Sequence, residues 1–257
     1  MTRELRRATF NRSALVRVLS ASLPEAADPT YDFGERLGQW LDFSDALMLF
    51  SVLNTEAGQR MPLPSAEGDL PEQLTGLRRK LGDAIRYDGI FRLEPTGSAV
   101  HNPFPVPRPG DTAEDAADFS PYHRYYLAHQ RDMCTAIAAL RGKSRQVLAD
   151  RSAAGRQLAG LDAAFEKSLA GRERNLLANV PILIGKRFAQ RYAEHCAALP
   201  DNAVDDPLAW RQAGSWLEAF CHDIQAALLA ELELRLKPVV GLITALRGGE
   251  PKETISQ

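Results

Sequence analysis

Cysteine is scarce in this chain, with Cys134, Cys196 and Cys221 scattered along 257 residues. So few cysteines exclude a disulfide framework, and an odd number is typical of a reducing compartment. The chain also lacks an apolar run of about 18 residues, which a membrane-spanning helix requires. Arg17 interrupts the apolar stretch near the N-terminus, whereas a signal peptide needs that stretch unbroken. We therefore expect a soluble, cytoplasmic protein.

Strand patterns are missing as well. The nearest candidate, Val100 to Val106, contains prolines, which do not fit the interior of a sheet. Elsewhere apolar residues recur at spacings of three and four, which is typical of amphipathic helices. Hydrophobic residues make up 45% of the chain and charged residues 25%, enough to form a folded core. The sequence predicts an all-α fold.

Proline placement suggests how the chain is divided. Pro103, Pro105, Pro107 and Pro109 stand at every second position, which favours an extended spacer over a docking peptide with prolines three apart. We predict a small N-terminal helical module over residues 1–93 with a loop at 57–70, and a proline-rich, acidic linker over 94–119. A long antiparallel, coiled-coil-like hairpin closed by a C-terminal helix then spans 120–249, and 250–257 form a frayed tail.

Local signals place several helix boundaries. Two N-terminal helices should meet near Trp40 and Phe43, with both aromatic side chains in the core and Asp42 or Ser44 as the cap between them. Ser120 should cap the first long helix, because Pro121 suits its first position. Further predictions are a break at Ser152, a kink at Pro181, a last helix starting near Leu208, and its end at Gly248-Gly249.

No pattern of catalytic residues is present. The chain has no nucleophile-elbow serine, phosphate-binding loop or dinucleotide-binding glycine motif. His195-Cys196 and Cys221-His222 contain zinc-ligand types, but neighbouring residues on a helix diverge by about 100° and do not converge on one ion. We predict no catalytic residue, no cofactor and no metal site.

Charge is segregated along the second half of the chain. Basic residues outnumber acidic ones over residues 122–194 (the basic arm), whereas the segment after residue 200 is acidic. One interpretation is that an acidic C-terminal helix packs beside a basic hairpin. The other is a surface for nucleic acid, acidic lipid or an acidic partner, although aromatics for base stacking are sparse. The candidate interaction residues are Arg141, Lys143, Arg145, Arg172, Arg174, Lys186, Arg187 and Arg191.

Three regions together resemble a known family. They are ERLGQWLDFSDA at 35–46, LDAAFEK at 161–167 with RER at 172–174, and LAELELRLKPV at 229–239. These stretches resemble an uncharacterised proteobacterial family, a domain of unknown function (number 3348). The resemblance extends over most of the chain and transfers no functional residue. It implies a cytoplasmic accessory of a membrane-embedded, stator-like assembly.

We therefore expect a non-enzymatic helical adaptor that binds a protein partner, or a second copy of itself, through helix faces. The long apolar seams and the missing catalytic motifs point to this function. The alternative is a nucleic-acid-associated protein that binds through the basic arm, with the steep salt dependence of phosphate contacts.

Overall fold

The computed structural model describes residues 13–20, 33–54, 69–87, 104–200 and 203–248. The helices are α1 Ala14–Ser20, α2 Phe33–Trp40, α3 Phe43–Asn54, α4 Leu70–Tyr87, α5 Ala113–Ala116, α6 Ser120–Arg151, α7 Ala153–Ala198 and α8 Trp216–Gly248, with a short 3₁₀-helix at Ala209–Arg211. These residues contain no strand, so the all-α prediction is confirmed. Most of the predicted 57–70 loop and all of the 250–257 tail lie outside the described ranges.

Helices α6 and α7 form an antiparallel hairpin with a one-residue turn. Ser152 separates them, as predicted, because its backbone is extended and its hydroxyl accepts a hydrogen bond from the Gly155 amide at 2.9 Å. This is an N-cap for α7. Gly155 is required there, since a Cβ atom would clash with the carbonyl oxygen of Leu148. Pro181 lies inside α7, which continues through it to Ala198.

Helix α8 closes the hairpin and contacts α1, α4, α6 and α7. Its buried face repeats at spacings of three and four, which suits a helix held by several neighbours. The prediction that this helix starts near Leu208 is wrong. The chain first makes the 3₁₀-helix and a turn at Gly214, whose φ of 83° favours glycine, so α8 begins at Trp216. The end at Gly248 is as predicted. The buried face comprises Leu217, Phe220, Ile224, Leu228, Leu232, Leu236, Val239 and Ile243.

The N-terminal helices α1 and α4 share this core. Helix α4 lies against α8 and α6, and it buries Leu74, Leu81 and Ile85, while α1 buries Leu15 against α8. Within the described ranges these two helices of the predicted 1–93 module form one hydrophobic core with the hairpin.

The described part of the predicted linker, residues 104–119, also lies on the bundle. Phe104 is buried, with its ring 5.4 Å from that of Tyr122 and 5.2 Å from that of Tyr125. An apolar aromatic residue between prolines thus finds a tyrosine pair on α6, so this part does not behave as a free spacer. The cap of α6 is Phe119 rather than Ser120, whose hydroxyl instead donates to Asp118 at 2.8 Å.

Candidate interaction surface

Helix α3 is rich in apolar residues, yet none of its residues is buried. Four large side chains point away from the bundle: Phe43 is 78% exposed, Leu47 53%, Phe50 64% and Leu53 52%. We call these four residues the α3 face. The expectation that Phe43 lies in the core is wrong, because α3 is an outer helix covered on one side by α7. Trp40, the other residue expected in the core, is half-buried.

Helix α3 lies antiparallel on the first half of α7, with one hydrogen bond to α7 near its C-terminal end and another at the end of α2, just before α3 starts. The Gln157 amide donates to the carbonyl oxygen of Leu53 at 2.8 Å, and the Arg172 guanidinium donates to the carbonyl oxygen of Trp40 at 3.2 Å. Between these points Gly160 allows close approach, since a Cβ there would lie 3.0 Å from the Cγ1 of Val52. The side of α3 that faces α7 is therefore occupied, and the α3 face is the opposite side.

A reciprocal cap starts α3. The amide of Asp45 donates to the Asp42 carboxylate at 2.8 Å, and the amide of Asp42 donates to the Asp45 carboxylate at 3.2 Å. This arrangement satisfies two otherwise unpaired helix-end donors. Of the two predicted caps, Asp42 is therefore the one used. The nearby Ser168 hydroxyl and the hydrogen bond from the Asp42 amide lower the pKa of Asp45, which favours its ionised form at the N-terminus of α3.

The predicted basic arm is largely engaged inside the molecule, first at Arg141 and Arg145. Arg141 binds both carboxylate oxygens of Asp162, at 2.7 and 2.9 Å, and Arg145 binds the same carboxylate at 2.6 Å. Glu166 accepts from both arginines at 3.1 and 2.7 Å. Burial opposes ionisation of Asp162, but its hydrogen bonds from the two arginines outweigh burial and lower its pKa. This network fastens α6 to α7.

A second ion-pair group joins α7 to α8. Arg187 and Arg191 both reach the carboxylate of Asp223, with nitrogen–oxygen distances of 3.1 and 2.5 Å. Here an acidic residue of the C-terminal helix does pack beside the basic hairpin, which is the intramolecular interpretation of the charge segregation. All three side chains are about one-fifth exposed, so water screens these pairs only in part.

The other four candidate residues are scattered. Lys143 donates to the Gln73 side chain of α4 at 3.0 Å, and Arg172 holds α2 as described above. Arg174 and Lys186 are exposed and have no hydrogen-bond or ion-pair partner among the described residues. The structure does not bring the eight basic residues together into one surface.

A buried polar cluster, missed in the sequence, lies between α6 and α8. The Glu231 carboxylate is fully buried and accepts from the Tyr126 hydroxyl at 2.9 Å, the Gln130 amide at 3.0 Å and the Arg235 guanidinium at 2.7 Å. We call these four residues the Glu231 cluster. Burial and the neighbouring Glu231 raise the pKa of Tyr126, so its hydroxyl stays protonated and donates. The sequence did contain a signal for this cluster: Glu231 lies three residues after Leu228, on the apolar face of α8, where a charged side chain needs a buried partner.

The histidine and cysteine pairs considered for zinc differ in their surroundings. His195 lies 2.9 Å from the carboxylate of Asp205, which also accepts from the indole of Trp210 at 2.7 Å. Cys196 is exposed, whereas Cys221 is buried. Within the described ranges no three His, Cys, Asp or Glu residues are placed to hold a metal ion. This part of the chain also has no helix long and apolar enough to cross a membrane.

An open cleft of about 390 Å³ lies at the α6–α7 turn. Its walls are mainly apolar, from Leu148, Leu158 and Ala245, and Arg151 is its one ionisable lining residue. Enzyme sites usually combine several titratable groups in a pocket. A single arginine gives this cleft no acid–base pair, so it supplies no candidate active site.

These features define a class: an all-α bundle with an apolar outer helix and polar side chains engaged in ion pairs within the fold. The chain belongs to the family described as protein of unknown function (DUF3348), whose family model matches residues 1–248. The match agrees with the resemblance drawn from three stretches of the sequence. No curated protein and no solved structure matches the chain.

Proposed function

We propose that this chain is a non-enzymatic helical interaction protein that binds through the α3 face. The exposure of that face carries the proposal. Four large apolar side chains, each more than half exposed, stand in one row on an outer helix, and contiguous exposed apolar patches mark binding surfaces on soluble proteins. Two of the four are phenylalanines, and aromatic residues are enriched at protein interfaces.

The polar groups of the bundle also favour an interaction protein over an enzyme. Arg141, Arg145, Arg187 and Arg191 fasten helices together, and Glu231 joins α6 to α8. Side chains used in this way hold the bundle rigid. When a partner binds α3 on a rigid bundle, few side chains or loops have to become ordered, so binding loses little conformational entropy.

The finer part of the proposal concerns the setting. The family resemblance implies a cytoplasmic accessory of a membrane-embedded, stator-like assembly, and we keep that assembly as the proposed setting of the interaction. The alternative of nucleic-acid binding through the basic arm has less support. Four of its eight candidate residues are paired with carboxylates, and a cation that is already paired has less to gain from a phosphate.

Affinity purification from the native host tests the proposal. Tagged wild type and a Leu47→Asp variant would be expressed beside the untagged chain, solubilised in mild detergent, treated with nuclease and analysed by mass spectrometry. We expect at least one protein, which can be the untagged chain itself, to be recovered with the wild type and lost with Leu47→Asp. A buried aspartate without a partner would oppose binding at the centre of the face.

Ile182→Asp is the matched control. The side chain of Ile182 is 55% exposed, a fraction similar to the 53% of Leu47. Ile182 lies on α7 ten residues beyond Arg172, about 15 Å from the end of the contact between α3 and α7. This control should recover the same proteins as the wild type. Identical recovery with Leu47→Asp would contradict the proposal. Recovery of proteins that disappear after nuclease treatment would favour the nucleic-acid alternative instead.

A further inference from the structure

We infer that the α3 face binds the α3 face of a second copy of this chain in an antiparallel helix pair. The inference rests on the proposed function, which identifies the face as a binding surface, and it names the occupant. Three properties of the face lead to this choice: the spacing of its residues, its lack of charge and its area.

The spacing is that of helices that pair with one another. Phe43, Leu47 and Phe50 lie four and then three residues apart, so their side chains form one row along the helix. Alternation of three and four is the repeat by which two helices interlock side chains. From Phe43 to Phe50 the row is about 10 Å long, and Leu53, three residues after Phe50, lies at its edge. A second α3 offers a row of the same length and spacing.

The charge distribution favours an identical partner and sets its direction. Residues 46–54 contain no charged side chain, so a charged partner would find no opposite charge along the row. The carboxylates of α3, Asp42 and Asp45, lie at its N-terminus. Parallel pairing would place four carboxylates side by side. Antiparallel pairing separates the two pairs by about 15 Å, beyond the roughly 8 Å screening length at physiological salt.

The area predicts a weak dimer. Fully buried aromatic side chains cover about 150–250 Å² each, so the exposed parts of the two phenylalanines and two leucines supply roughly 400 Å² per copy. A total of roughly 800 Å² is below the 1,200–2,000 Å² of standard interfaces. The pairing should therefore depend strongly on protein concentration. Because the contact is isologous, it closes at two copies and does not extend into fibres.

Sedimentation equilibrium of the purified full chain tests the inference. Concentrations from about 1 μM to about 500 μM bracket the affinity expected of a small interface. We expect the mean mass of the wild type to rise from 28.3 kDa towards twice that value. Leu47→Asp should weaken the association at least about tenfold, because each copy places a charge in an apolar contact. Ile182→Asp should match the wild type. Circular dichroism would verify that all variants keep their helix content.

A mixing experiment tests whether the two faces meet. One chain would carry Leu47→Lys with Phe50→Lys, and the other Leu47→Asp with Phe50→Asp. Each alone should associate less than the wild type, and an equimolar mixture should associate more strongly than either chain alone, since opposite charges now face each other. A mixture that associates no more than the two chains do separately would overturn the face-to-face arrangement.

Other outcomes separate this inference from the proposed function. A wild type that stays at 28.3 kDa at every concentration, or a dimer insensitive to Leu47→Asp, would overturn the second copy as occupant. So would a monomer that floats with phosphatidylglycerol vesicles only when Leu47 is intact. If Leu47→Asp still abolished capture of a different protein from the host, the proposed function would stand without the dimer. If Leu47→Asp changed neither the capture of host proteins nor the self-association, both the proposed function and the dimer would be contradicted.

Discussion

Replacing Glu231 with glutamine tests the buried polar cluster that joins α6 to α8. The carboxylate accepts from Tyr126, Gln130 and Arg235, and Arg235 is itself 12% exposed. Glutamine keeps the shape of the side chain but removes the negative charge, and it turns one acceptor into a donor that faces other donors. The arginine then lies mostly buried beside a neutral group, and its remaining ionic partner is the half-exposed carboxylate of Glu173 at 3.7 Å.

The expected loss follows from this geometry. Breaking a buried ion pair by removing one partner costs about 3–5 kcal/mol, and the remaining carbonyl oxygen of glutamine recovers part of it. We expect Glu231→Gln to lower the free energy of unfolding by about 3 kcal/mol. For a chain of this size that corresponds to a fall in Tm of roughly 6–12 °C. Urea titration at pH 7 followed by circular dichroism, with a thermal scan, measures both.

Glu233→Gln provides the matched control on the same helix. Glu233 is 52% exposed and pairs with Arg78 at 3.0 Å, and a pair this exposed contributes about 1 kcal/mol at most. A second comparison combines Glu231→Gln with Arg235→Met. The double variant should lose less free energy of unfolding than the sum of the two single variants. Each single change leaves the charge of the other residue without this partner, whereas the double change removes both charges. Equal losses for Glu231→Gln and Glu233→Gln would refute the account of the cluster.

Two further predictions concern α6 and its contacts. The pKa of Asp162 is lower in the folded than in the unfolded chain, so its contribution is present above about pH 4 and is lost as the pH falls through the folded value. Asp162→Asn should therefore be less stable than wild type at pH 7, with a smaller difference near pH 2; urea titrations at both values test this, with exposed Asp132→Asn as control. In the second, Gly142→Ala should stabilise the chain by about 0.5–1 kcal/mol, because Gly142 is exposed inside α6 and a Cβ meets nothing within 4 Å. Gly155→Ala should destabilise it by about 1–3 kcal/mol through the clash at the α6–α7 turn. Thermal scans that rank Gly155→Ala at or above Gly142→Ala would contradict that reasoning.

Periodic patterns in the sequence predicted much of the fold. The break at Ser152, the end at Gly248 and the corner between α2 and α3 follow from local chemistry, since capping residues and glycines act on their neighbours. Long-range packing was harder to predict. Phe104 docks on Tyr122 and Tyr125, which lie in a separate helix, and proline spacing carries no information about that contact.

The candidate surface was hidden for a related reason. An apolar run such as Ala46 to Phe50 is equally typical of a core helix and of an exposed binding helix, and only the arrangement of neighbouring helices distinguishes them. The prediction that Phe43 lies in the core assumed a core helix, which is the commoner of the two cases. The basic arm shows the converse problem: composition detected the cations, but pairing of Arg187 and Arg191 with Asp223 depends on how α8 lies against α7.

The chain's three tryptophans divide between the middle and the C-terminal end of α7, which makes its fluorescence a local reporter. Trp210 and Trp216 are buried beside His195, whereas Trp40 lies just before α3 and is held by Arg172. Arg172 and His195 are 23 residues apart on one helix, or roughly 35 Å. Quenching of tryptophan fluorescence by direct contact does not act over that distance. Light emitted by Trp40 should therefore respond when the α3 face is covered, while the emission of the other two indoles stays constant and supplies an internal reference.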